Sequence, residues 1–140
     1  MHYIDTSVLT AYYCPEPRSA RVQRLLGKLD GPTISPLVEV ELYSAVSRKA
    51  RAGELDPSDA RRIFAQFQAH LSEPRYHLVP IGSAEYTLAR DWLAQLSTPL
   101  RVLDALHLAA ASAHSLRLLT ADRALARCAK QLGVDHKLIP

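Results

Sequence analysis

Tyr3-Ile4-Asp5-Thr6-Ser7 reads as a short apolar strand that ends on a carboxylate and leads into a helix. Three more segments place an acid where apolar sequence ends or breaks. Glu41 lies inside Leu37-Val38-Glu39-Val40-Glu41-Leu42, Asp104 interrupts Val102-Leu103-Asp104-Ala105-Leu106, and Asp122 follows Leu118-Leu119-Thr120-Ala121. A carboxylate in or beside a core is costly unless it is partnered. No segment offers a set of Lys or Arg partners for all four. If the four meet in space, protons or a cation must relieve their repulsion. A hard divalent ion that takes oxygen ligands suits such a donor set.

Outward from these segments the pattern alternates short strands with longer helices. This predicts an α/β fold with a mainly parallel sheet. Strands are expected at His2 to Ile4, Thr33-Ile34, His77 to Ile81, Arg117 to Thr120 and Val134 to Leu138. Helices are expected after Asp5 through Ala11, from Pro17 to Leu29, and after Ser35-Pro36 to about Ala52. Further helices follow Asp56-Pro57, run from a Ser83 cap to Gln95, span Asp104 to about Ser115, and cover Ala124 to Leu132. Ser or Asp followed by Pro is a helix start, an N-cap with proline at the first helical position. Asp5 and Asp122 each come just after a strand. In parallel sheets that is where sites form, near a switch in strand order.

The chain of 140 residues suits one domain with a full core, and its 48% hydrophobic and 22% charged content is that of a globular protein. Net charge is +3 and the pI about 9.0, a mild basic bias compatible with a nucleic-acid partner. Cys14 and Cys128 make neither a Cys-x-x-Cys pair nor a zinc spacing, so two buried thiols in a reducing compartment are expected. The N-terminus lacks the basic and apolar regions of a signal peptide. The longest apolar stretch, Ala105 to Ala113, is too short to span a bilayer. The expectation is a cytoplasmic protein without membrane attachment.

With their order and spacing taken together, the four segments resemble the PIN-domain nucleases, and within them VapC-type toxins of toxin–antitoxin pairs. Tyr3-Ile4-Asp5-Thr6-Ser7 is similar to the family's opening strand and first acid, and Glu41-Leu42-Tyr43-Ser44-Ala45 to its Glu-Leu-x-x-Ala helix. Asp104-Ala105-Leu106-His107-Leu108-Ala109-Ala110 resembles the third-acid helix, and Leu119-Thr120-Ala121-Asp122-Arg123-Ala124-Leu125 the fourth-acid segment. Each motif alone is weak, but four in order across nearly the whole chain are specific. Glu41 rather than Glu39 carries the match, because only Glu41 has Leu and Ala at the matching offsets.

The resemblance implies a single PIN-like domain over residues 1–140, a three-layer α/β/α sandwich around a short, mainly parallel sheet. It also implies a ribonuclease dependent on Mg²⁺ or Mn²⁺, with Asp5, Glu41, Asp104 and Asp122 as catalytic acids. Asp5 and Asp104 would be the principal ligands, Asp122 a direct or water-mediated one or the holder of a second ion, and Glu41 a group that orients the attacking water or completes the shell. Thr6, Ser7 and Thr120 would hydrogen-bond the carboxylates from behind. The partners implied are an RNA substrate, a cognate antitoxin and a second copy of the chain. Ile63, Phe64, Phe67 and Leu71, at helical spacing, offer apolar surface for such a partner.

Each acid also has a plainer role available. Asp5 fits a helix cap, Glu41 an arginine pair, and Asp104 and Asp122 the first turns of helices favoured by the dipole. These roles do not explain why all four acids appear in family order. His107 and His114 lack the dense His and Cys clusters of zinc sites and read as core or interface residues. Among the basic residues, Arg123, Arg127 and Lys130 start beside Asp122 and are preferred as RNA-backbone contacts over Arg48, Lys49 and Arg51. Tyr12, Tyr13 and Tyr43 are read as core aromatics rather than base-stacking ones. Two other functions fit a similar acid set. A phosphohydrolase using an aspartyl intermediate needs a second acid close to Asp5, and Thr6-Ser7-Val8 supplies none. A non-catalytic RNA- or protein-binding module has no need of an intact quartet.

Overall fold

The computed structural model describes residues Met1 to Pro140. Five strands, β1 (His2–Ile4), β2 (Thr33–Ile34), β3 (His77–Leu78), β4 (Arg117–Thr120) and β5 (His136–Leu138), pair in the order β3-β2-β1-β4-β5. Every pairing is parallel, so the sheet is parallel throughout. Helices α1 (Thr6–Tyr13) and α2 (Ser19–Leu26) join β1 to β2. Helices α3 (Pro36–Arg51) and α4 (Pro57–Ser72) join β2 to β3. Helices α5 (Ser83–Ala94) and α6 (Val102–Ala113) join β3 to β4, and α7 (Arg123–Gln131) joins β4 to β5.

The chain winds outward from β1 to β3, then crosses the sheet to β4 and winds the other way. Right-handed crossovers place α1 to α4 on one face and α5 to α7 on the other. The result is the expected α/β/α sandwich. Its topological switch lies between β1 and β4, which are neighbours with Tyr3 opposite Leu118 and Ile4 opposite Leu119.

The buried apolar side chains form one contiguous cluster that includes Tyr3, Leu9, Leu42, Phe67, Leu108 and Leu118. The strands are short and covered on both faces, which explains why they read as apolar runs. In α6, Ala105, Ala109, Ala110 and Ala111 are all buried, and their small side chains let α6 lie close to α5 and to the sheet. The face of α4 expected to offer surface to a partner is divided, with Phe64 and Leu71 only partly buried against the core. Ile63 and Phe67 are buried, and Phe64 stacks on Tyr43 with ring centroids 4.3 Å apart.

Several boundaries differ from expectation for local reasons. β3 stops at Leu78 rather than Ile81, because the ladder ends with Val79 donating to Ile34 O and Pro80 has no N–H to continue it. Gly82, not Ser83, caps α5, and the Glu85 carboxylate reaches back to the Gly82 N–H at 2.7 Å. Ser35 holds the N-cap position of α3 without capping it, since its hydroxyl turns inward to the Tyr3 hydroxyl at 2.7 Å.

Gly31, before β2, has φ +60°, and a Cβ there would sit 2.2 Å from His77 Nε2. Gly31→Ala therefore carries both a backbone cost, of about 1–2 kcal/mol, and a collision. The exposed His77 ring can turn aside, so adding His77→Ala removes the collision and leaves the backbone cost. Thermal melts of the single and double variants should show this partial recovery. Full recovery would mean that the φ constraint is absent.

Candidate active site

Asp5 is where the sheet delivers its first acid. Its backbone N–H donates to Leu119 O at 3.2 Å, one step past the β1–β4 ladder. Its side chain caps α1, with Oδ1 accepting from Val8 N–H at 3.1 Å and from the Ser7 hydroxyl at 2.6 Å. Oδ2 accepts from the Thr120 hydroxyl at 2.5 Å. Ser7 and Thr120 are themselves held, by the Ala121 N–H at 2.8 Å and the Asp122 N–H at 3.0 Å. Burial pushes the Asp5 carboxyl above the usual range, against the pull of these hydrogen bonds. The capping role and the site role thus coincide in one residue.

Glu41, on α3, finds its partner in a histidine rather than in an arginine. His107 of α6 hydrogen-bonds Glu41 Oε1 through Nε2, and the Thr6 hydroxyl donates to the same oxygen at 2.9 Å. On its other side, His107 Nδ1 meets the Tyr3 hydroxyl at 2.9 Å, and Tyr3 in turn meets Ser35. With Nε2–H donating to the carboxylate, every link of the chain has a donor and an acceptor, whichever way the Tyr3 and Ser35 hydroxyls turn. Burial acts to raise the Glu41 pKa, but the hydrogen bond and attraction from His107, together with Thr6, outweigh it and hold the carboxyl below its usual range.

Asp104 and Asp122 complete the set. Asp122 is exposed and caps α7, with one oxygen, Oδ1, accepting from Ala124 N–H at 2.8 Å and Leu125 N–H at 3.2 Å. Asp104 sits in the first turn of α6, half-buried, at a cleft of about 450 Å³ that it shares with Glu41 and Arg101. Burial raises its pKa first, and the charge of Asp122 adds to this. Glu41 and Asp5 push the same way, and only His107 opposes them. No hydrogen bond contributes. Asp104 thus feels the charges of the other three acids, and no hydrogen bond offsets its own.

The donor set at this point is oxygen only, which suits Mg²⁺ or Mn²⁺ rather than a softer metal. As posed, no three His, Cys, Asp or Glu side chains stand close enough to close around an ion. Both Asp5 oxygens, one of Asp122 and one of Glu41 are already engaged. Both Asp104 oxygens, the second oxygens of Asp122 and Glu41, and the remaining lone pair of Asp5 Oδ2, which accepts a single hydrogen bond, are left for a cation that keeps much of its water.

The remaining candidates separate clearly. Arg123, Arg127 and Lys130 are exposed at helical spacing on α7, starting one residue after Asp122. Tyr13 is buried and bonded to His70 Nδ1 and Tyr76 Oη, each at 2.6 Å, and Tyr43 takes a hydrogen bond from Gln68 at 2.8 Å. Both are structural, as read. Cys14 and Cys128 are buried and free. Tyr3, Ser35 and His107 were not read as site residues. The one signal for His107 was its place one turn after Asp104, and nothing in the sequence tied it to Glu41, 66 residues away.

A parallel α/β/α sandwich with carboxylates gathered beyond the carboxyl ends of its central strands is the architecture that this fold and site define. The chain belongs to the PIN domain family, whose family model matches residues 2–131. Its fold is similar to that of FitAcB from Neisseria gonorrhoeae, at 20% identity and a TM-score of 0.75 over 97% of this chain and 96% of that one. It is also similar to VapC20 from Mycobacterium tuberculosis, a sarcin-ricin loop cleaving toxin, at 15% identity and a TM-score of 0.71 over 91% and 94%. VapBC2 from Rickettsia felis, bound to a DNA fragment from its promoter, matches at 17% identity and a TM-score of 0.68 over the whole of both chains. Among curated proteins, none matches the sequence.

The raised pKa of Asp104 has a stability consequence. A group whose folded-state pKa is raised contributes stability below its ordinary range and loses it as pH climbs through the raised value. Asp104→Asn should therefore melt higher than the parent at neutral pH in EDTA, with the advantage shrinking in acid. Paired melts at the two pH values check this, and an equal gain at both would assign the effect to something other than charge.

Proposed function

We propose that the chain is a divalent-metal-dependent ribonuclease and the toxin of a toxin–antitoxin pair. What supports this reading most is that Asp104, in a PIN fold, feels the charges of Asp5, Glu41 and Asp122 together. Asp5, Asp104 and Asp122 would hold Mg²⁺ or Mn²⁺. When bound, such an ion lowers the pKa of a water and offsets phosphate charge.

The chain's own groups then act as follows. The Ser7 and Thr120 hydroxyls fix the Asp5 rotamer, so no ordering is needed when substrate arrives. His107 and Thr6 pin Glu41 by one oxygen and keep it ionised. Its other oxygen is free to take a proton from the water that attacks the phosphodiester. Arg123, Arg127 and Lys130 would contact the RNA backbone beside Asp122. The toxin–antitoxin assemblies among the structural neighbours support an antitoxin partner and a homodimer for this chain too. No helix is long and apolar enough to cross a membrane.

RNA cleavage followed with Mg²⁺, Mn²⁺ and EDTA tests the reading. Asp5→Asn and Asp104→Asn should nearly abolish activity with the circular dichroism spectrum unchanged. Glu41→Gln should lower kcat by about 10²–10⁴-fold. Undiminished cleavage in EDTA or in Asp104→Asn would reject the mechanism, and no cleavage under any condition would favour a binding module.

Co-expression with the product of the adjacent gene should give one complex on size exclusion with cleavage silenced. Separate elution of the two proteins would remove the antitoxin from the proposal.

A further inference from the structure

A second cleft, of about 510 Å³, opens beside the acids and shares residues with them. Thr6 and Ser7 line it, the same residues that bond Glu41 and Asp5. Arg18, Arg48 and Lys49 also line it. Arg18 reaches the Ala121 carbonyl at 3.4 Å, next to Asp122, and so ties the cleft to the far side of the site. Arg48 is exposed and takes part in none of the chain's ion pairs. Lys49 lies between Glu16 at 3.6 Å and Glu54 at 3.4 Å, surface pairs of the weak and exchangeable kind.

Four converging carboxylates repel a polyanion, so a nucleic-acid strand brought to them needs cations close by. We infer that this cleft holds the backbone of single-stranded RNA flanking the scissile phosphate, with Arg48, Lys49 and Arg18 as the phosphate contacts. The inference rests on the ribonuclease reading above and adds a second contact surface to the α7 stripe. Arg48 and Lys49 also oppose the dipole at the end of α3. That role does not account for Arg18, which comes from the start of α2 and turns into the same cleft. A protein partner is disfavoured because the only apolar lining is Ala45 and Ala52, too little to anchor a helix.

The test measures both anisotropy of a short fluorescein-labelled single-stranded RNA in EDTA and cleavage in Mn²⁺. Arg48→Glu and Arg18→Ala should each weaken binding about ten-fold at low salt. Each lost contact should flatten the plot of log K against log salt by about 0.7. Glu54→Gln, which removes an opposing charge from the cleft, should tighten binding. Arg117→Glu, at the start of β4 and so at the opposite end of the sheet, makes the same charge change as Arg48→Glu and should have little effect.

Equal losses in Arg48→Glu and Arg117→Glu would reduce the effect to net charge and overturn the inference. So would wild-type binding in Arg48→Glu, whether or not that variant loses its complex with the antitoxin; in that case the ribonuclease reading stands on its own cleavage data. RNA binding through the cleft without cleavage in Mn²⁺ would keep the inference and reject the enzyme. An absence of both binding and cleavage in the wild type would reject both.

Discussion

The parallel pairing of β1 with β4 is the constraint on which the rest of this structure depends. β1 has three residues, too few for its ladder alone to fix a register firmly. Side chains fix it instead. Tyr3 and Ile4 are fully buried on opposite faces, and a slip of one residue would exchange those faces. Beyond the ladder, Asp5 accepts from Thr120, Ser7 holds Asp5, and the Ala121 N–H holds Ser7. The bonds that lock the register are therefore the bonds that build the site. A chain that paired its central strands wrongly would lose the acid cluster with the fold.

The second tie runs crosswise through buried polar groups. Glu41 from α3, His107 from α6, Tyr3 from β1 and Ser35 at the start of α3 form one hydrogen-bonded chain. His107 and Ser35 are almost wholly shielded from water. A buried network of this kind stabilises only when every member is satisfied, and here donors and acceptors alternate without a gap. The burial of Ser35 also explains why α3 starts without a side-chain cap. Its hydroxyl serves the network rather than the helix end, and Pro36 supplies the helix start by its fixed φ.

The alternation of strands and helices was legible because parallel strands buried on both faces leave apolar runs, and helix starts leave Ser-Pro and Asp-Pro. The acids Asp5 and Asp122 were legible because each follows a strand. The positions that misread share a cause: their role is decided by a partner distant in the chain. Ser35 looks like a cap until Tyr3, 32 residues away, claims it. The apolar stripe of α4 looks like spare surface until the core takes Ile63 and Phe67. Glu41 looks as though it needs an arginine until His107 meets it. The basic residues of α3 look like a solvated face until Arg18, from another helix, joins them at one cleft. Local pattern specifies elements well, but which side chains meet across elements is a property of the assembled sheet.

The four acids differ in how far their hydrogen bonding is satisfied. Asp5 is bonded at both oxygens. Glu41 and Asp122 are each bonded at one. Asp104 receives no hydrogen bond and feels the charge of the other three. Groups already bonded need no ordering when a ligand arrives, so they define position. The unbonded group carries repulsion that only a proton or a cation can relieve. A cation that binds the folded cluster and not the open chain would recover that repulsion as affinity. The charge that weakens the free protein at Asp104 is thus the same charge that would draw a divalent ion to it. The acids lie beyond the carboxyl ends of the central strands rather than within the sheet, where an uncompensated carboxylate would cost the fold far more.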